Sequence, residues 1–123
     1  KGYDESLAYE DFDFWVRSSR YFNYCFTDEI LVKKRLVGGS LSTKQYIKKS
    51  TILESTCRVC LKAEKLNRTV GEKKALVKRC RYEFRKSLFS GNHSIGKKFT
   101  ELILRNTSSP LEKFFLNLII RLL

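Results

Sequence analysis

Nine cations crowd one stretch of this 123-residue chain: Lys73, Lys74, Lys78, Arg79, Arg81, Arg85 and Lys86, then the pair Lys97–Lys98. Side chains of this kind bind anions. A strand of closely spaced phosphates is the matching surface, because each neutralising contact releases condensed counterions. Such contacts position a polyanion without reading its sequence. Tyr82 lies among the cations and offers a ring for stacking on an unpaired base. Between residues 31 and 98 there are 19 bases and 4 acids, an excess too long for an ordinary solvated face. No zinc-finger spacing, heptad-linked basic region or helix-turn-helix pair is present, so RNA is favoured over DNA.

A second group is Cys57, Cys60, Cys80 and Cys25. The Cys57-Arg-Val-Cys60 spacing lets two thiolates grip one tetrahedral zinc, with Cys80 and His93 (or Cys25) as the remaining ligands. Cys80 also falls on the apolar stripe of its helix, where it reads as a plain buried thiol. Two disulfides in an oxidising compartment are the third reading. The cofactor expectation is therefore none, or one structural zinc. Three sequons, beginning at Asn67, Asn92 and Asn106, favour a secreted glycoprotein as the competing class. Catalysis finds little support. His93 is the one histidine, there is no phosphate-cradling glycine loop or nucleophile elbow, and Glu10, Asp11 and Asp13 alternate with Phe12 and Phe14. The chain reads as a non-enzyme.

The elements that hold these residues follow from composition. Hydrophobic residues make up 42% and aromatics 13%, enough for one compact domain. The net charge is +12, which repels itself unless a polyanion neutralises it. That charge is divided. Residues 1–30 sum to −4 and hold Tyr3, Tyr9, Phe12, Phe14, Trp15, Tyr21, Phe22, Tyr24 and Phe26, whereas residues 31–123 sum to +16. An acidic aromatic head thus precedes a basic body, and it packs on that body or on a basic partner. The longest apolar run, Phe114 to Leu123, contains Asn117 and Arg121 and is too short to span a membrane. The absence of methionine, even at position 1, suggests a processed product or part of a longer chain.

One proline and few glycines favour a mainly α fold of about five helices. A helix is expected over 5–24, with Leu7, Trp15, Phe22 and Phe26 on one side. A second is expected from Thr27 and Asp28 through Ile30, Leu31, Val32 and Leu36 to Gly38. Ser42 and Gln45 have capping-box spacing before a short helix through Tyr46 and Ile47. The β-branched segment 50–60 reads as strand or loop. Residues 72–90 form the clearest helix, with Leu76, Cys80, Phe84 and Leu88 every fourth position and Gly91 as its stop. A polar loop, GNHSIGKK, leads to a helix using Phe99, Leu102 and Ile103. Ser109 and Pro110 then start a last helix. Its stripes, Leu111, Phe114, Phe115, Leu118, Ile119 and Leu122, then Leu116, Ile120 and Leu123, demand burial nearly all round or a partner.

Phe84, Leu88 and Phe89, then Gly91 and Ser94, then Pro110, Leu111 and Phe114 make a pattern of basic helix, turn, helix and Pro-Leu-x-x-Phe start. Over residues 76–120 this resembles the first helical part of the seventh small-subunit ribosomal protein family. Asn92 and His93 stand where that family carries a lysine pair, with Lys97 and Lys98 displaced, and its later β-hairpin has no counterpart. The resemblance implies an rRNA-binding structural component of a ribosome or other ribonucleoprotein. Neighbouring proteins would contact the aromatic head and the C-terminal helix. The setting would be intracellular, and the composition fits an organellar, for instance mitochondrial, ribosome.

Overall fold

The computed structural model describes residues 2–35, 38–39 and 45–122. Five helices follow in chain order: α1 (Glu10–Ser18), α2 (Thr51–Leu66), α3 (Val70–Phe89), α4 (His93–Asn106) and α5 (Pro110–Leu122). There is no strand among the described residues, and the fold class is all-α as expected. The antiparallel neighbours α3 and α4 form the centre. α2 packs across both, α1 lies on α2, and α5 leans on α4. Leu53, Cys57 and Cys60 of α2 meet Leu76, Val77, Cys80 and Phe84 of α3 and Phe99, Leu102 and Ile103 of α4 in one core, which Leu116 of α5 closes.

The helix starts follow local chemistry. Ser50 accepts the Leu53 N–H at 3.2 Å to open α2. Thr69 and Glu72 make a reciprocal capping box on α3. Ser109 accepts the Glu112 N–H at 3.3 Å on α5, whose first residue is Pro110 as the sequence indicates.

Several expectations are corrected. Segment 50–60 is helix, neither strand nor loop. Its β-branched residues are buried at helical spacing (Ile52, Thr56, Val59), and burial outweighs a propensity difference of about a few tenths of a kcal/mol. The first helix is only nine residues long. Ser18 Oγ donates to the Phe14 carbonyl at 2.6 Å and Ser19 Oγ to the Val16 carbonyl at 2.8 Å, so two consecutive hydroxyls compete for the helix's own acceptors where it stops. Leu7 is buried as expected, but Trp15, Phe22 and Phe26 are exposed. The inward face of α1 instead carries Phe12 and the carboxylate of Asp13.

Residues 28–35 are not helical, and Ile30, Leu31 and Val32 are exposed. With nothing covering that apolar side, a short helix is not self-sustaining. Leu36 and Ser42 lie outside the described residues. Gln45, Tyr46 and Ile47 are in turn and bend conformation. The GNHSIGKK segment is not a loop, since α4 begins at His93. The last helix is not buried all round: Leu116 is covered and Ile119 partly so, while Leu111, Phe114, Phe115, Leu118 and Leu122 are exposed.

The acidic head is clipped to the body. Asp13 is fully buried and accepts from Lys62 Nζ at 2.8 Å and Arg17 Nε at 2.7 Å. Lys62 also holds Asp4 at 2.7 Å, and Arg20 reaches Glu72 of α3. The Lys62 bond holds Asp4 far below the usual carboxylate range. Arg20 and the capping N–H groups bring Glu72 down to about 2. Burial alone would raise Asp13, but Lys62 and Arg17 outweigh it and its pKa is lowered. Lowered folded-state pKa values mean stabilisation that is complete above the unfolded values near about 4 and lost as pH falls below them. Acidification from about pH 5 to about pH 2 is therefore expected to change Trp15 fluorescence, reporting release of α1, before far-UV circular dichroism shows loss of α2–α4. Simultaneous loss of both signals would contradict an ion-pair clip.

α3 and α4 are in close contact at Gly96. A Cβ there would stand 2.8 Å from Ser87 Oγ, which is fixed by donation to the Phe84 carbonyl at 2.6 Å. Gly96→Ala should thus destabilise by about 1–3 kcal/mol through overpacking, although alanine is the better helix former. Ser87→Ala in the same chain should recover much of the loss, because Ser87 Cβ lies at an ordinary 3.8 Å. Urea denaturation of the single and double variants checks both signs.

Candidate nucleic-acid interface

α3 presents its cations by helical geometry. Lys74, Lys78, Arg81 and Arg85 fall within a sector of about 60° at about 3.6 residues per turn, opposite the buried Cys80, Glu83 and Ser87. The nine cations singled out from sequence do not share one fate. Arg79 is drawn inward, stacked 4.9 Å over the Phe12 ring and ion-paired with buried Glu83 at 2.7 Å. Arg81 makes two 2.6 Å bonds to Glu112, fastening α5 to α3. Lys86 lies against the rings of Tyr46 and Tyr82, at 5.3 and 5.7 Å. The other six, Lys73, Lys74, Lys78, Arg85, Lys97 and Lys98, are exposed and in no ion pair among the described residues. Tyr82 and Phe89 are also exposed on α3, Phe89 at 90%.

The α3–α4 turn adds a concavity that the linear sequence conceals. A hollow of about 420 Å³ is lined by Lys48, Lys49, His93, Ser94 and Lys98, with Glu54 its one acid. Asn92 builds it. This residue is 6% exposed; its Oδ1 accepts the Lys49 N–H at 2.8 Å and its Nδ2 donates to the Ile47 carbonyl and to Ser90 Oγ, both at 2.8 Å. The latch draws segment 47–49 onto the turn. Lys49 is held in the left-handed region at φ 59° and Gly91 turns the chain at φ 70°. α2 starts at this hollow behind Ser50, and α4 starts at His93 with no side chain capping its first turn. Uncapped N–H groups at a helix start favour an anion. Lys48 and Lys49 were not distinguishable in sequence from other scattered lysines. Only the latch from Asn92, 43 residues distant from Lys49, makes them part of the site.

Three of the proposed zinc ligands meet in the core, but neither His93 nor Cys25 joins them. Cys57, Cys60 and Cys80 are free thiols in the apolar core, and Cys25 is free and exposed. His93 is at the exposed start of α4. Among the described residues no group of three or more His, Cys, Asp or Glu could hold a metal. Burial pushes the Cys57 thiol up to about 12. Bonding to Cys80, together with burial, raises Cys60 still further.

The sequon asparagines differ in their surroundings. Asn67 Nδ2 is buried, Asn92 Nδ2 closes the latch, and Asn106 Nδ2 donates to Glu64 at 2.6 Å. A glycan replaces a hydrogen of that same nitrogen, so attachment at Asn92 or Asn106 would break these bonds. No helix among the described residues is long and apolar enough to cross a membrane. Comparison with protein-family models, curated proteins and solved structures finds no significant match.

Thiol reactivity tests the cysteine assignment. One thiol per chain, Cys25, should react promptly with a thiol reagent under native conditions. The other three should react only as fast as global unfolding exposes them, with or without a zinc chelator. Faster reaction in chelator would restore a metal site.

Proposed function

We propose that this chain is a non-enzymatic RNA-binding structural component of a ribosome or other ribonucleoprotein. The observation that carries the reading is a set of unpaired cations along the outer face of α3 and around the α3–α4 turn. Lys74, Lys78 and Arg85 line one face of α3, while Lys48, Lys49 and Lys98 border the hollow where α2 and α4 begin. Phosphates of a folded RNA would be held at both places, with Tyr82 and Phe89 available to stack on unpaired bases. The resemblance of residues 76–120 to the seventh small-subunit ribosomal protein family points to rRNA and to an intracellular particle, a mitochondrial ribosome being one such setting. Neighbouring proteins would cover the exposed apolar residues of α5 and of segment 22–32.

The test is the salt dependence of binding to a structured RNA. Lys78→Ala, Arg85→Ala and Lys98→Ala combined should weaken binding at least about tenfold. They should also flatten the plot of log K against log salt by about 0.7–0.9 for each phosphate that is no longer neutralised. Arg81→Ala should act differently, lowering stability by loosening α5 while changing the slope less. A slope unchanged in the triple variant would overturn the assignment, and co-purification of rRNA with the native protein would support it directly.

A further inference from the structure

Two exposed apolar surfaces remain outside the core, and they carry opposite charge. The first is on α5. Leu111, Phe115, Leu118 and Leu122 recur at steps of four, three and four residues, with Phe114 beside them, and all five are exposed. At about 100° per residue they form one stripe. Lys113, Asn117 and Arg121, four residues apart, follow one edge of it. Both cations are exposed and in no ion pair among the described residues. Glu112, the one acid of α5, is held by Arg81. The second surface is segment 22–32, where Phe22, Tyr24, Phe26, Ile30, Leu31 and Val32 are exposed. Asp28 and Glu29 stand among them, exposed and likewise in no ion pair among the described residues. No base occurs between Arg20 and Lys33.

We propose that these surfaces cover each other between copies of this chain: residues 26–31 of one copy lie along the α5 stripe of a second, with Asp28 and Glu29 beside Lys113 and Arg121. The lengths agree. From Leu111 to Leu122 the stripe runs about 17 Å, and an extended chain from Phe26 to Leu31 covers about the same distance. The bases that follow, Lys33, Lys34 and Arg35, then run past the end of the helix. Charge selects this pairing over the others. Two α5 stripes brought together antiparallel set their Lys113–Arg121 edges side by side, and two segments brought together oppose their acids. Like charges facing each other across an interface are costly, and opposite ones fix the register. The acids also make an RNA or an anionic bilayer a poor cover for this segment. The net charge of +12 on each copy opposes association, but beyond about 8 Å it is screened at physiological ionic strength. At about 100 Å² for each exposed side chain, a reciprocal pair of contacts would bury at most about 2,000 Å², the size of a stable interface. Exchange of this kind closes as a two-fold dimer. The inference rests on protein, and not RNA, covering these residues, and it uses none of the exposed cations of α3 and α4.

The experiment is sedimentation equilibrium on the whole chain, freed of nucleic acid by nuclease and high salt, over a wide range of concentration. The mass should rise from one copy to two. Two charge-reversed chains are compared, one with Asp28→Lys and Glu29→Lys, the other with Lys113→Glu and Arg121→Glu. All four side chains are exposed, so both variants should keep the native far-UV circular dichroism. Each alone should associate at least about tenfold more weakly, because its segment and its α5 edge now share one sign. An equimolar mixture should recover the association, since both contacts are complementary again. Phe115→Ser with Leu118→Ser should weaken it without altering any charge. A single copy at every concentration, which closure of the segment on its own α5 would also give, refutes the proposal. So does association indifferent to both reversals, or a mixture that does not recover. Either failure leaves the RNA reading standing, because none of these variants alters Lys78, Arg85 or Lys98. Conversely, an unchanged salt slope in the triple variant would not touch this dimer.

Discussion

A chain with 25 bases and 13 acids can pack its helices only if its few carboxylates stand where elements cross. That constraint organises this structure. Asp4 and Asp13 meet Lys62 to join the head to α2, Glu72 meets Arg20 to join it to α3, Glu64 meets Arg105 to join α2 to α4, and Glu112 meets Arg81 to join α3 to α5. The exposed pairs among these, such as Arg81–Glu112 and Arg105–Glu64, contribute little one at a time. Their effect here is positional: each bridges two elements, and none of these carboxylates is left to neutralise Lys74, Lys78 or Arg85 on the outer face of α3. The cationic surface is thus a product of the same arrangement that holds the fold together.

Much of the architecture was legible because apolar periodicity and helix starts are local signals. The stripe Leu76–Cys80–Phe84 and the Ser109–Pro110 start emerge as expected. The failures share a cause. At 50–60 propensity pointed away from helix, but Ile52, Thr56 and Val59 are buried by tertiary packing, and that packing decides. At 27–35 the local cap and apolar residues pointed toward helix, but no partner surface covers Ile30 or Val32. In both segments tertiary contact, present or absent, overrides the local code, and a single sequence does not display it.

The basic cluster was legible in the sequence, and which cations stay exposed only partly so. A run of nine cations reads as a uniform basic face, yet Arg79, Arg81 and Lys86 are turned to structural tasks by Phe12, Glu112 and the Tyr46–Tyr82 pair. In their place Lys48 and Lys49 join from another segment. Asn92 looked like a sequon and like a departure from a lysine pair. Its amide proves to be the latch that brings two lysines to the same turn. A polar residue of this kind gives no periodic signal, since its meaning lies in partners 43 and 45 residues distant in sequence.

Arg79 shows why charge counting and site assignment differ. Its position on α3 is one residue from Lys78, which is exposed and unpaired, but the turn of about 100° between them carries it to the seam with α1. There it covers Phe12, pairs with a carboxylate buried on its own helix, and leaves one N–H without a partner. A cation that would hold a phosphate on the outer face becomes, one residue on, part of the packing between α1 and α3. A basic helix packed on both flanks must create such inward cations. Here the inward cation is held by an aromatic ring and by a buried acid one helical turn away, and neither partner is visible in a count of charges.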